Sequence, residues 1–164
     1  MKRLWAPWRM EYILGDKTHG CVFCTELKED HDRKNYILYR GQRAFVIMNI
    51  YPYNNGHLMV IPYKHVETLE ELPDSTLKEM MVLTKECCTI LKEAMSPQGF
   101  NVGVNVGSAA GAGIKEHLHI HIVPRWNGDT NFMSVVDDVR VMPQHLRETF
   151  DILEKGFKRL KNKK

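Results

Sequence analysis

Histidines 117, 119 and 121 stand in the run Glu116-His117-Leu118-His119-Ile120-His121-Ile122-Val123-Pro124-Arg125. On an extended strand side chains alternate, so the three imidazoles share one face and Leu118, Ile120 and Ile122 share the other, the face able to pack on a core. A rise of about 3.3 Å per residue spaces neighbouring rings by roughly 7 Å. At an effective dielectric near 20, two charges at that distance repel by about 2.4 kcal/mol. That exceeds one pKa unit, so all three rings are not protonated together near neutral pH. At least one neutral imidazole is then available as a nucleophile or ligand, while another can carry a proton toward an anion. Two other readings compete with nucleophilic chemistry: a His-x-His pair gripping one catalytic zinc, and three surface histidines on a sheet.

The neighbouring residues favour phosphate chemistry. Asn105 and Ser108 precede the row, in a loop with glycines at 107, 111 and 113. Small residues let backbone N–H groups approach phosphate oxygens, while Asn and Ser add side-chain hydrogen bonds. Such a loop alone could be an ordinary turn; beside a histidine row it supplies a cradle for developing negative charge. A second group is Cys21-Val22-Phe23-Cys24, whose two intervening residues let both sulfurs face one ion. In a cytoplasmic chain that spacing reads as metal binding before disulfide formation. Cys87 and Cys88 point in different directions on a helix and read as small core or boundary residues.

These groups need a scaffold, and the chain is long enough to build one. Its 164 residues, 43% hydrophobic and 26% charged, suit one domain spanning 1–164. The longest apolar runs, such as Leu58–Ile61, are too short to cross a bilayer. The N-terminus lacks an apolar secretory core, so the expected compartment is the cytoplasm. A net charge of +3, part of it in residues 155–164, suits a small polyphosphate; the basic tail reads as a solvated helix end, not a nucleic-acid site.

Strands are expected at Asn35–Arg40, Ala44–Asn49 and about His57–Pro62, with a turn over Pro52-Tyr53-Asn54-Asn55-Gly56. The clearest helix runs from Asp74 to Met95, with Asp74 or Ser75 as its cap. Its apolar stripe is Leu77, Met80, Met81, Thr84, Cys87, Cys88, Leu91, Ala94 and Met95. Phe100–Val106 alternates, placing Phe100, Val102, Val104 and Val106 on one face. A strand at His117–Val123 follows, then a last helix from near Pro143 carrying Leu146, Phe150, Leu153 and Phe157 inward. Mostly antiparallel strands around a long helix make an α+β domain.

The His-x-His-x-His row resembles the motif of the histidine triad (HIT) family. Gly56-His57-Leu58-Met59-Val60-Ile61-Pro62-Tyr63-Lys64-His65 is similar to that family's earlier strand and its exit. Leu4-Trp5-Ala6-Pro7-Trp8-Arg9 and the stretch from Val123 through Trp126 to Met133 resemble the branch containing diadenosine tetraphosphate phosphorylases. The resemblance implies a HIT-like antiparallel sheet, a half-barrel, with one long helix and a C-terminal helix, and a homodimer sharing its sheet. It implies that His119 attacks the α-phosphate of a nucleotide, giving a nucleotidyl-histidine, with His121 and His117 completing the triad. Water, inorganic phosphate or a second nucleotide then releases the product. Substrate contacts would come from Asn49, Asn105, Gly107, Ser108, Gly113 and Trp126. A structural zinc is expected on Cys21, Cys24, His65 and His117, not required for the chemistry because a four-ligand shell leaves no open position.

The favoured reaction is phosphorolysis of diadenosine tetraphosphate to ADP and ATP. The alternatives are dinucleotide or nucleoside phosphoramidate hydrolysis, and a non-catalytic nucleotide-binding protein. Tyr51, Tyr53, Phe45 and Ile47 could flank a nucleobase, although core packing is the expected fate of Phe45 and Ile47. Trp126 either lines the site across a dimer or covers a sheet edge. Trp5 and Trp8 pin the N-terminal segment, His57 supports the site from behind, and His19, His31 and His145 are surface residues.

Overall fold

A computed structural model describes residues 20–29, 31–129 and 144–162. The segments holding Trp5, Trp8 and His19, the stretch from Thr130 to Met133, and Pro143 lie outside the described residues. Five strands, β1 (Ile37–Arg40), β2 (Ala44–Met48), β3 (Leu58–Pro62), β4 (Gly99–Val104) and β5 (Ile120–Arg125), form one open sheet in the order β1-β2-β3-β5-β4. Every neighbouring pair is antiparallel. The helices are α1 (Val22–Lys28), α2 (Asp74–Met95) and α3 (Leu146–Lys161), with a 3-10 turn at Ser108–Ala110.

Alternation divides the sheet into two buried faces. On one, Val46, Met48, Leu58, Val60, Leu118, Ile120 and Ile122 pack beneath α2 and α3, joined by Met80, Leu83, Leu91, Phe150, Leu153 and Phe157. On the other, Phe45, Ile47, Met59 and Ile61 meet Phe23 of α1. Phe45 and Ile47 are therefore core residues, as their β-branched and aromatic types suggest.

The long helix has the expected bounds but differs in detail. Its N-terminus is capped at Pro73 without a side-chain hydrogen bond, so neither Asp74 nor Ser75 acts as the cap. Leu83 and Ile90 are buried while Met81 is 59% exposed. The buried arc is rotated because α2 is clamped between the sheet and α3. A Cβ on Gly156 would lie 2.5 Å from Ile90 Cγ2, so only glycine lets the helices approach this closely. The face expected for Phe100–Val106 is also split. Phe100 and Val104 pack on the core, whereas Val102 and Val106 are exposed, because α2 covers β2, β3 and β5 and β4 forms the sheet edge.

Candidate active site and metal cluster

The histidine row departs from a regular strand. β5 begins at Ile120, so His117 and His119 precede it, and the Leu118 N–H bonds the Val66 carbonyl at 2.7 Å instead. The rings are consequently not evenly spaced at 7 Å. His119 and His121 stand edge to face at 4.6 Å, while His117 turns toward His65, 5.0 Å away between ring centres. All three are buried. Burial is the first cause holding their pKa values below the ordinary imidazole range, with neighbouring histidine charges adding to it at His117 and His121. For His121 the value falls to about 4. Mutual repulsion, expected from the sequence, is thus secondary to desolvation.

Hydrogen bonds to groups of fixed polarity assign opposite tautomers to His119 and His121. His119 Nδ1 lies 2.8 Å from the His117 carbonyl, which can only accept, so Nδ1 carries the proton and Nε2 has a free lone pair. His57 Nδ1 accepts the Tyr53 backbone N–H at 3.0 Å, which can only donate. The His57 proton therefore sits on Nε2 and is donated to His121 Nδ1, 3.0 Å away. That leaves His121 with Nε2–H, a donor. Asn49 reinforces the chain: its Oδ1 accepts the Tyr51 N–H at 2.8 Å, which turns its Nδ2 toward His57 Nδ1 at 3.3 Å. Burial pushes the His57 pKa down to about 3, so this relay is neutral around pH 7. Adjacent rings thus offer a lone pair at His119 and a proton at His121.

A close contact and two hydrogen bonds hold the relay. Gly56, just before His57, has φ +77, and a Cβ there would lie 2.8 Å from Met95 Sδ. Both the left-handed backbone and the contact with α2 require glycine. The turn over residues 52–56 is tied down by Asn54 Nδ2, which donates to Asp129 at 2.8 Å, and by Thr149 of α3, whose hydroxyl donates to Asn55 Oδ1 at 2.9 Å. Sequence reasoning missed both ties. The polar Asn54-Asn55 pair and the Asn-Gly-Asp turn at 127–129 were visible, but not that they meet. Tyr53, which could flank a nucleobase, stacks its ring on His121 at 5.4 Å, and its backbone fixes the His57 tautomer.

Among the proposed substrate contacts, Asn105 is half-buried and Gly107, Ser108 and Gly113 are exposed. Gly107 has φ +80 and ψ 165, a region open essentially to glycine alone. Trp126 is half-buried, and its indole N–H donates to the Met95 carbonyl at 3.2 Å, at the C-terminus of α2. His31 and His145 are exposed.

Cys21, Cys24, His65 and His117 converge, one ligand atom from each lying within 4.8 Å of all the others. With metal–sulfur and metal–nitrogen bonds of about 2.3 and 2.05 Å, a tetrahedral zinc shell has N···S edges near 3.5 Å and N···N edges near 3.3 Å. The structure gives N···S separations of 3.2, 3.5 and 3.6 Å and an N···N separation of 3.3 Å. The donor set therefore fits a metal. His117 Nε2–H donates to the Pro62 carbonyl at 2.8 Å, leaving Nδ1 as the ligating nitrogen, the usual outer-shell support for a metal-bound histidine. Burial raises the Cys21 thiol pKa to about 11, an opposing cost that a divalent cation would have to offset.

The HIT domain family model matches residues 31–128, and the chain belongs to the HIT family. It is 39% identical over 161 residues to AP-4-A phosphorylase of Mycobacterium tuberculosis, covering 93% of this chain and 83% of that protein. Among solved structures, a Zn-bound histidine triad family protein from Mycobacterium smegmatis aligns with a TM-score of 0.70 and 28% identity, over 88% of this chain and 98% of the other. A hypothetical histidine triad nucleotide-binding protein from Sulfolobus tokodaii strain7 aligns at 0.67 and 30%, over 87% and 95%.

Proposed function

We propose that this chain is a nucleotidyl transferase acting on dinucleoside polyphosphates, with phosphorolysis of diadenosine tetraphosphate to ADP and ATP as its main reaction. The observation that carries the proposal is the complementary tautomer pair, a lone pair on His119 Nε2 beside a donor N–H on His121. The similarity to AP-4-A phosphorylase over most of the chain supports the substrate class. His119 Nε2 attacks the α-phosphorus, the P–O bond to the distal ATP unit breaks, and an adenylyl–histidine forms. His121 Nε2–H holds or protonates the departing oxygen. Inorganic phosphate then attacks the same phosphorus, the P–N bond breaks, and ADP leaves with His119 restored. Asn105, Gly107, Ser108 and Gly113 would contact the charged oxygens, Asn49 keeps one amide hydrogen for substrate, and Trp126 would line the site from a partner copy.

The metal bound by the Cys–His cluster is proposed to be zinc, supplying structure without an open coordination position. The chain is further proposed to act in the cytoplasm as a homodimer through the open edge β4, where Val102 on the strand and Val106 just beyond it are exposed; light scattering tests the dimer. Among the described residues no helix is long and apolar enough to cross a membrane.

Incubation with diadenosine tetraphosphate, with and without phosphate, tests the reaction. ADP plus ATP formed only with phosphate supports phosphorolysis. AMP plus ATP would replace it with hydrolysis, and absence of any dinucleotide turnover would reject the reading.

A further inference from the structure

α1 has seven residues and no side-chain cap at its N-terminus, too short to persist on its own in water. Two things hold it. Cys21 and Cys24 enter the metal cluster, and between them Phe23 is the one buried residue of the helix, resting on Phe45, Ile47, Met59 and Ile61. The Phe23 ring meets His117 edgewise at 5.6 Å and His119 at 5.4 Å. Whatever fixes the two sulfurs therefore fixes the ring between them. A histidine χ2 torsion is broad and roughly two-fold. A flip of His119 would exchange Nδ1 with a ring carbon, break the bond to the His117 carbonyl and misdirect Nε2. His121 flanks His119 on one side at 4.6 Å; Phe23 also contacts it, from the cluster.

We propose that Phe23 is a positioning residue that couples occupancy of the Cys21/Cys24/His65/His117 cluster to the orientation of His119, an inference that rests on the proposed role of His119. The metal ligand His117 reaches His119 by two routes, its own carbonyl and the Phe23 ring it touches. Metal then influences turnover without approaching the substrate.

The test compares zinc-loaded wild-type protein with Phe23→Leu, which keeps apolar volume but removes the ring edge, and with Phe23→Met as a second replacement. Zinc per chain, kcat and KM for diadenosine tetraphosphate, and the nitrogen-15 NMR signals of the His119 ring are measured before and after chelation. Phe23→Leu is expected to retain its zinc, to lose about tenfold or more in kcat as small misplacements do, to keep KM within about twofold, and to replace the single Nδ1–H pattern of His119 by an averaged one. Chelation should shift the same signals in wild type and shift them much less in Phe23→Leu. Wild-type kcat and His119 signals in both variants overturn the coupling. So does a chelation response of full wild-type size in Phe23→Leu, or a variant that loses zinc and recovers kcat when zinc is restored. Wild-type protein that turns over no dinucleotide, yet shows the Phe23-dependent signals, overturns the functional reading and supports the positioning role of Phe23.

Discussion

The two faces of the sheet are both buried but are built differently. Under α2 and α3 the interior is mainly apolar, filled by Leu, Ile, Val, Met and Phe side chains with a few hydrogen-bonded threonines such as Thr84 and Thr149. Under α1 a smaller apolar bed borders four imidazoles, His57, His117, His119 and His121, each less than a tenth exposed. The first face stabilises by removing apolar area from water, an effect that has no preferred direction. The second buries polar groups, which costs free energy unless every one is satisfied. Among the described residues no buried side-chain nitrogen or oxygen lacks a hydrogen bond. One side of the sheet holds the fold, and the other uses that rigidity to fix proton positions.

The sharpest way to break this contrast pairs His119→Ala with Leu153→Ala. Removing His119 is expected to lower turnover by at least about 10³-fold with a smaller stability loss than the leucine variant. Leu153 of α3, fully buried, should cost about 2–5 kcal/mol when truncated while folded molecules keep their kcat. Urea titrations and initial rates measure both; a His119 variant retaining a tenth of wild-type activity would end the proposed division of labour.

Acid should attack the histidine face first. His57 and His121 have folded-state pKa values of about 3 and about 4, below the ordinary value near 6.5, so the unfolded chain binds more protons between those limits. Stability is then full above about pH 6.5 and falls as pH drops toward 4, by up to about 1.4 kcal/mol per pH unit for each ring. Denaturant midpoints from pH 7 to 4 measure the slope, and His57→Gln should make it shallower. An unchanged slope in that variant would show that His57 does not carry the effect.

Gly56→Ala should sharpen the link between the faces, because the position combines φ +77 with a close approach to Met95. A loss of about 1–3 kcal/mol is expected, with kcat reduced because His57 follows directly; loss of stability alone would detach the turn from the relay. The smallest effect belongs to Arg33→Ala. Arg33 pairs with Asp151 and Glu154 of α3 but is more than half exposed, so less than about 1 kcal/mol is expected by thermal melting.

Much of the site was legible in residue types and spacing. Period-two alternation put Leu118, Ile120 and Ile122 on the apolar side, a triad motif pointed to the HIT family, and Cys-x-x-Cys marked half of a cluster able to hold a metal. The long helix was readable because its 22 residues give several turns of periodic signal. Less legible were the start of β5, where Leu118 bonds Val66 instead of joining the ladder, and the rotation of the α2 stripe, which depends on how closely Gly156 lets α3 approach.

The sequence by itself determined which side chains carry nitrogen, sulfur or hydrocarbon, and the side of the sheet on which Leu118, Ile120 and Ile122 lie, because alternation is a local property of the backbone. Tertiary structure decided which ring nitrogen of His121 bears its proton. His119 is set by the peptide carbonyl of His117, whereas His121 is set through His57 by the Tyr53 N–H, 64 and 68 residues away from it along the chain. An isolated imidazole has two nearly equivalent tautomers, and only a partner of fixed polarity, delivered by folding, separates them.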